Sequence, residues 1–449
     1  MKLNYSVYFF CFAFVICSYS QEAATNRNSF LERHIFSGEL RNFYMNTLNL
    51  QPGLEDYQTN ATALFLAYVS PKFNNFSFHV GSRYITRLDN FNLNKMDEIT
   101  EKTAKWEYEL YNVLDKNDFS IFTLDEFYLQ FETEKLKAKV GNFYSSHTPF
   151  FNQSDGRMRP FAYRGHWLDY QISEKHKIQY AWLSHVLVRS TANWYGFSEA
   201  IGLFSQGFQP NGEVADYADF IQSNGAGFLN YTFNKKSFQL DLYQFYVDQL
   251  LGISFAEVHY TFKKWTSGVQ YAYQFPLQNS RQIAYQNRYI QPDENAQVIS
   301  SKLAYDHSSQ LKFSAAYSYS FATGRVLFPK ELGRDWFYTS IARARMEGLG
   351  DTHAILFTGN YRLENPNLKI GLEMIQMYGP KQNDFQFNKY NIDEFWQLNT
   401  RLTYQTNFLK GLEFDVLFII KENFNSNAID FVFNRSDFAQ LSFVTKLHF

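Results

Sequence analysis

Arginine offers the clearest binding chemistry in this chain of 449 residues. Arg343 and Arg345 are two residues apart in SIARARMEGLGD, so both side chains point the same way if the segment is extended. A guanidinium group is always charged and binds a carboxylate through a planar fork. Several guanidinium groups in a column would attract anions, whereas charges on a water-exposed face can also be merely solvated or paired. The candidate residues for contact with a charged solute are Arg41, Arg83, Asp155, Arg157, Arg159, Arg343, Arg345, Arg362 and Arg401.

The patterns that catalysis requires are incomplete in the sequence. The ten histidines are scattered and form no H-E-x-x-H motif. The segment GFSEA at 196–200 lacks the closing glycine of a nucleophile elbow. His307-Ser308 resembles the His-Ser pair of barrel phospholipases, but it falls in a short polar connection. We therefore expect no catalytic activity, no cofactor and no bound metal.

The first residues have the pattern of a signal peptide. Lys2 supplies the positive start, Val7–Cys17 the apolar region, and Ser18-Tyr19-Ser20 a cleavage site of small residues. A lipid anchor at Cys17 is a weaker alternative, because Ile16 stands where a small residue is expected. Both cysteines, Cys11 and Cys17, lie in this segment, so the processed chain has no thiol for a disulfide, a metal or a nucleophile.

Composition indicates a protein that meets two different solvents. Aromatic residues make up 19% of the chain, yet the mean hydropathy is -0.38. Many aromatic residues in a polar chain are typical of a barrel whose outer face meets lipid and whose inner face meets water. The formal net charge of -2 provides no basic field for nucleic acid.

Apolar and polar residues alternate with period two along many segments of about ten residues. Trp265–Phe275 and Leu311–Phe321 are examples, and both are near the roughly 9 to 11 residues that a tilted strand needs to cross a bilayer. The final stretch, Phe438–Phe449, alternates in the same way and ends in an aromatic residue. Its apolar face consists of Ala439, Leu441, Phe443, Thr445, Leu447 and Phe449.

The connections between these segments alternate in length. Asn234–Lys236 and Lys263-Lys264 are short polar turns, whereas Leu88–Asn117 and Ser190–Ser223 are long. Short turns alternating with long loops are typical of an outer-membrane barrel. The pattern predicts an all-β fold, a transmembrane antiparallel up-and-down β-barrel of about 18 strands. The predicted division is a signal peptide at 1–20, a short segment at 21–35 and the barrel at 36–449.

Four motifs in order resemble the OprD family of outer-membrane porins over nearly the whole processed chain. FSGELRNFYM resembles that family's first strand, HTPFFNQSDGRMRPFAYRG its inward-folded third loop, ELGRDWFYTSIARARMEGLGD a later loop, and FLKGLEFDVLF its penultimate strand. The matching positions include Gly38, Arg41, Asn42, Tyr44, Thr148, Pro149, Asp155, Arg157, Arg159, Pro160, Arg164, Gly165, Gly333, Arg334, Asp335, Tyr338, Thr339, Arg343, Arg345, Glu347 and Gly348.

The resemblance implies a monomeric barrel with a narrow constriction and a ladder of basic residues down its wall. Members of the family pass basic amino acids, carboxylates or oligosaccharides. Ala342 and Ala344 depart from the family, which commonly carries Pro and a charged residue around the Arg pair. The local geometry and selectivity at that point are therefore open.

We predict a porin of the bacterial outer membrane that passes small polar or charged solutes by passive diffusion. The expected partners are the solute, outer-membrane lipid and lipopolysaccharide, and the barrel-assembly machinery, which would read Phe449. The sequence leaves open a polysaccharide export barrel and, less favoured, an outer-membrane barrel hydrolase. It does not decide between anionic and cationic solutes.

Overall fold

The computed structural model describes residues 34–154, 157–279, 282–425 and 435–449. The predicted signal peptide at 1–20, most of the segment at 21–35, and Asp155 lie outside the described residues.

Among the described residues, nineteen strands form one antiparallel sheet. The strands are β1 (Ile35–Asn49), β2 (Tyr57–Val69), β3 (Phe76–Arg87), β4 (Ser120–Glu132), β5 (Leu136–Tyr144), β6 (Ala162–Ser173), β7 (His176–Leu187), β8 (Trp194–Gly196), β9 (Ala226–Lys235), β10 (Phe238–Val247), β11 (Leu251–Phe262), β12 (Trp265–Pro276), β13 (Ala296–Asp306), β14 (Leu311–Ser320), β15 (Thr352–Leu363), β16 (Leu368–Tyr378), β17 (Phe395–Gln405), β18 (Leu412–Asn423) and β19 (Phe438–His448).

Eighteen of these strands close into a barrel. The ring closes where β1 pairs with β19, for example at Arg41 opposite Lys446. The three-residue strand β8 pairs only with the end of β7, and β7 continues the ring by pairing with β9.

The period-two alternation separates an outer face from a lumen, as predicted. On β19, Phe443 is 37% exposed on the outside, whereas Gln440 is fully buried and bonds to side chains inside the barrel. On β12, Tyr271 and Tyr273 face outward and Gln270 faces the lumen. The predicted lipid-facing and water-facing sides of these strands are therefore correct.

Among the described residues, eight turns of two to six residues form one end of the barrel, including 263–264 between β11 and β12. The opposite end has the shorter connections 50–56 and 248–250, and six long loops. The long loops span residues 88–119, 145–161, 188–225, 277–295, 321–351 and 379–394. The helical segments of the described residues are single turns in these loops, and none is long and apolar enough to cross a membrane.

Three of the long loops fold into the barrel. We name them loop A (88–119), loop B (145–161) and loop C (321–351). Phe150 of loop B packs on Phe245 of β10 and on Phe328 of loop C, each with ring centroids 5.1 Å apart. Phe150 is 1% exposed. The inward-folded loop predicted from the resemblance is confirmed, and loops A and C enter the lumen with it.

Candidate functional site

Loops A, B and C meet in the lumen, and polar contacts join each pair of them. Arg157 Nη2 of loop B lies 2.6 Å from Glu109 Oε2 of loop A. Asn152 Nδ2 of loop B donates a hydrogen bond of 2.6 Å to the carbonyl oxygen of Arg334 in loop C. The guanidinium of Arg343 in loop C stacks 4.7 Å above the ring of Trp106 in loop A. We call this meeting point the loop junction.

The barrel wall beside the loop junction carries a chain of alternating charges. Arg83 of β3 pairs with Asp125 of β4 at 3.0 Å and with Glu39 of β1 at 3.3 Å. Glu39 also pairs with Arg41 at 3.0 Å. The second guanidinium nitrogen of Arg41 donates to the carbonyl oxygen of Arg157, at 2.5 Å. Two cations and two anions thus balance, and together they fix loop B against β1 and β3.

A β-bulge in β4 places two successive carboxylates, those of Asp125 and Glu126, on the lumen side of the strand. Gly81 of β3 pairs with Glu126 and Ser82 pairs with Leu124, so Asp125 is the extra residue. A bulge turns a side chain that strict alternation would direct elsewhere. Asp125 and Glu126 consequently both face inward, and the carboxylate of Asp125 accepts hydrogen bonds from Arg83 and from the hydroxyl of Tyr144.

Arg157 and Arg159 of loop B have different surroundings. Arg157 is 3% exposed and, with Arg189, holds Glu109 in an ion pair. Burial opposes ionisation of Glu109, but the guanidinium groups of Arg157 and Arg189 outweigh it and lower its pKa to about 2. Arg159 is 2% exposed and donates to Thr123 and to the carbonyl oxygens of Val188 and Thr191. Arg159 thus anchors loop B to the barrel wall. This position differs from the pore-lining one that the sequence predicts.

Arg343 and Arg345 lie in a turn, so the condition under which their side chains would point the same way, an extended segment, is not met. Ile341 and Ala344 bridge to each other, and Arg343 has a φ of 69°. Arg343 donates twice to Gln440 Oε1 of β19, at 2.7 and 3.0 Å. Arg345 donates to the carbonyl oxygen of Asp335 at 2.6 Å and stacks on Trp336 at 5.1 Å. The two guanidinium groups therefore diverge.

Arg362 and Arg401 lie on the lumen face nearer the turn end of the barrel. Arg362 on β15 is exposed and stands directly opposite Lys369 of β16. Arg401 on β17 has a 51% exposed side chain and pairs with Asp415 of β18 at 3.6 Å. Both side chains are more open to solvent than the arginines of the loop junction, and they do not contact it.

The opposite wall carries carboxylates. Glu257 of β11 pairs with His259 at 3.0 Å and accepts a hydrogen bond of 2.9 Å from Gln270 of β12. The backbone N–H of Tyr338 in loop C donates to the side-chain oxygen of Gln270 at 3.1 Å. Asp241 of β10 faces the lumen on the neighbouring strand. Loop C thus runs from the acidic wall at Tyr338 to β19 at Arg343.

Several residues of the site carry no sequence signal. Loop A contributes Trp106, Glu107 and Glu109, and the period-two pattern of a strand does not predict the direction of side chains in a loop. Gln440 could have been found, because it lies on the polar face of β19. Among the described residues, no group of three or more His, Cys, Asp or Glu side chains is placed to hold a metal ion.

Solved structures share this fold. Matches include OccAB4 of Acinetobacter baumannii (15% identity, 93% of this chain and 98% of that chain, TM-score 0.70), OccK8 (OprE) of Pseudomonas aeruginosa (14%, 94% and 99%, 0.70) and the outer membrane protein opdK of Pseudomonas aeruginosa (14%, 94% and 100%, 0.67). No protein-family model and no curated protein sequence matches the chain. The likeness confirms the closed barrel with inward loops that the resemblance to OprD porins implies.

Proposed function

We propose that the chain is an outer-membrane channel of the OprD type that lets small polar or charged solutes diffuse through its barrel. The observation that carries the proposal is the loop junction, where three loops enter a barrel that is apolar outside and polar inside. A barrel of 18 strands is wide enough for an aqueous channel unless inward segments narrow it. The loops supply that narrowing.

The charges at the narrowing suit a solute with ionised groups. Arg343 and Arg345 offer guanidinium groups, which favour a carboxylate. Glu257 and Asp241 on the opposite wall favour an ammonium or a guanidinium group. A solute that carries both kinds of charge would be oriented across loop C, whereas a neutral oligosaccharide would use the amides and hydroxyls of the same walls.

The contacts between loops favour this proposal over polymer export. A polysaccharide exporter needs a clear path for a continuous chain. Here Asn152, Arg157 and Arg343 each join two elements across the lumen. An exporter would have to break these contacts, whereas a small solute can pass beside them. A hydrolase would need a nucleophile beside a base, and His307-Ser308 lies in a turn between β13 and β14.

We also propose a monomer that the barrel-assembly machinery inserts by reading the terminal strand, in contact with lipid and lipopolysaccharide. Phe449 supports this proposal. Its backbone exchanges hydrogen bonds of 2.7 and 3.1 Å with Gly38 of β1, so the last residue completes the contact that closes the barrel.

The test is single-channel conductance of the refolded protein in a planar bilayer, titrated with arginine, benzoate and chito-oligosaccharide. We expect small discrete steps that one of these solutes blocks, which identifies the solute class. Insertion without conductance would reject the channel. Large conductance that no small solute blocks would favour the export barrel.

A further inference from the structure

Glu107 of loop A is a carboxyl group shut away from solvent at the loop junction. The residue is 0% exposed. Its Oε1 accepts a hydrogen bond of 2.6 Å from the hydroxyl of Thr47 on β1, and its Oε2 has no hydrogen-bond partner in the part of the chain that the structure describes. A buried carboxylate with one oxygen unpaired is costly, whereas the protonated acid is not.

A chain of hydrogen bonds joins Glu107 to Arg343. Gln440 of β19 donates to Thr47 Oγ1 at 2.9 Å and accepts from Arg343 at 2.7 Å. The same guanidinium stacks on Trp106, which precedes Glu107 in the chain. Thr47 and Gln440 therefore link Glu107 to Arg343, and a change in the charge of Glu107 changes the electrostatic potential at an arginine of the proposed narrowing.

The charged groups around Glu107 are mostly cationic. Arg157 of loop B and Arg343 of loop C attract its ionised form. The strands that pack against it present neutral groups, Thr47 on β1 and Gln440 on β19. The further charged residues at the junction are Lys105 and Glu109 of loop A, Arg189 after β7, Lys421 of β18, and Arg435 and Asp437 before β19.

Burial outweighs the two guanidinium groups and raises the pKa of Glu107 to about 7. Below that pH the folded protein holds Glu107 protonated and neutral. Above it the side chain carries a negative charge beside Arg343 and Arg157. The change of charge falls between pH 6 and pH 8, roughly one pH unit on each side of that value.

We propose that Glu107 sets the charge preference of the channel. As a neutral acid it leaves the guanidinium groups of the loop junction to attract anions, and as a carboxylate it offsets one of them. Glu107 is thus a specificity-determining residue that lies behind the residues a solute touches. The inference rests on the proposed channel function and adds to it a control of ion preference by proton concentration.

The experiment measures the reversal potential of single channels in a potassium chloride gradient at pH 5.5 and pH 8.5. One negative charge about 6 Å from a permeating ion in a watery medium lowers the local concentration of anions about threefold and raises that of cations about threefold. We therefore expect the ratio of anion to cation permeability to fall about ninefold in the wild type between the two pH values. Glu107→Gln should keep the higher ratio at both. Burial also lowers the pKa of Lys105 in loop A to about 8, so the difference between the two proteins is the quantity that decides.

Glu98→Gln is the matched control, because Glu98 lies exposed in the same loop and the charge change is identical. It should behave as the wild type does. Thr47→Val is the second variant; it removes the hydroxyl that favours the ionised form, so the midpoint of the change should move to higher pH.

An equal pH response in wild type and Glu107→Gln, with channels that still conduct, would overturn the role of Glu107. If Glu107→Gln does not fold, as judged by heat-dependent migration on a gel, an unmoved midpoint in Thr47→Val would do the same. Absence of conductance in every variant would instead count against the channel itself.

Discussion

At the scale of single residues, the arginines at the narrowing divide into those that hold loops in place and those near a solute path. Arg83 belongs to the first group. It is 4% exposed, and its partner Asp125 is fully buried. Removing one partner of a buried ion pair leaves an uncompensated charge, so its effect falls on stability.

Asp125→Asn should therefore lower the free energy of unfolding by about 3 kcal/mol, because Arg83 would keep only Glu39 as a counter-charge. Urea unfolding in detergent, followed by tryptophan fluorescence, measures the change. Asp306→Asn removes a half-exposed carboxylate that pairs with Lys312 at 3.1 Å, and should cost less than about 1 kcal/mol. Equal costs for the two variants would contradict a supporting role for Asp125.

We propose that Arg343 and Arg345 belong to the second group. Replacing both with Ala should reduce the entry of benzoate roughly tenfold, because two cations would be lost beside the proposed path. The barrel should remain folded, since both residues lie in loop C and belong to none of the strand pairs that close the barrel. Solute uptake into vesicles measures the effect.

Lys263→Ala with Lys264→Ala is the control for that double variant. It removes the same charge at the turn between β11 and β12, far in the chain from the loop junction. Uptake should stay near the wild-type rate. An unchanged anion preference after loss of both arginines would show that neither guanidinium acts on the permeating solute.

At the scale of structural elements, close packing of loop B on loop C keeps the narrowing in place. Gly333 permits this approach, since a Cβ at that position would meet the carbonyl oxygen of Phe150. Close packing against loop B therefore explains why the first residue of the Gly-Arg-Asp motif is a glycine. The residues on either side of Gly333 are also held, Arg334 by Asn152 of loop B and Leu332 by Tyr163 of β6, each through a hydrogen bond of 2.6 Å.

Gly333→Ala should push loop C away from loop B and widen the narrowing, so single-channel conductance should rise, about twofold if one of the two bonded contacts is lost. Gly359→Ala is the matched control, because a Cβ there meets only ring atoms of Phe313 at 3.7 and 3.8 Å on the outer face. Its conductance should not change. A Gly333 variant with wild-type steps and solute block would place the narrowing elsewhere.

At the scale of the whole molecule, the sequence predicts those features that arise from a periodic pattern of residues. Alternation fixes which side of a strand meets water, so the faces of β12, β14 and β19 and the count of about 18 strands could be read directly. Arg401 and Arg362 could be placed on the lumen face for the same reason.

Contacts between loops have no period, and there the sequence was less informative. Arg343 and Arg345 could not be assigned a direction, because a turn at Ile341–Ala344 replaces the extended segment. The bulge at Asp125 shifts the alternation by one residue, and no residue type in the sequence indicates it. Loop A contributes Trp106 and Glu107 from a stretch with no strand pattern at all, so their meeting with loop C needed the structure.

Closure of the barrel involves the whole chain, because it joins the first strand, β1, to the last strand, β19. Eleven residue pairs join these strands, from Glu39–His448 to Asn49–Phe438, and the ring of Phe449 covers Gly38 beyond them. We expect Phe449→Ala to lower the amount of folded barrel in the outer membrane several-fold, because under our proposal the assembly machinery reads this terminal aromatic residue. The same variant refolded in detergent should lose less than about 2 kcal/mol, because the ring lies on the outer face and only part of its contact is lost. Comparing the yield in the membrane with the stability in detergent separates recognition by the assembly machinery from closure of the barrel. A loss of stability in detergent large enough to explain the whole loss in the membrane would assign Phe449 to closing the barrel alone.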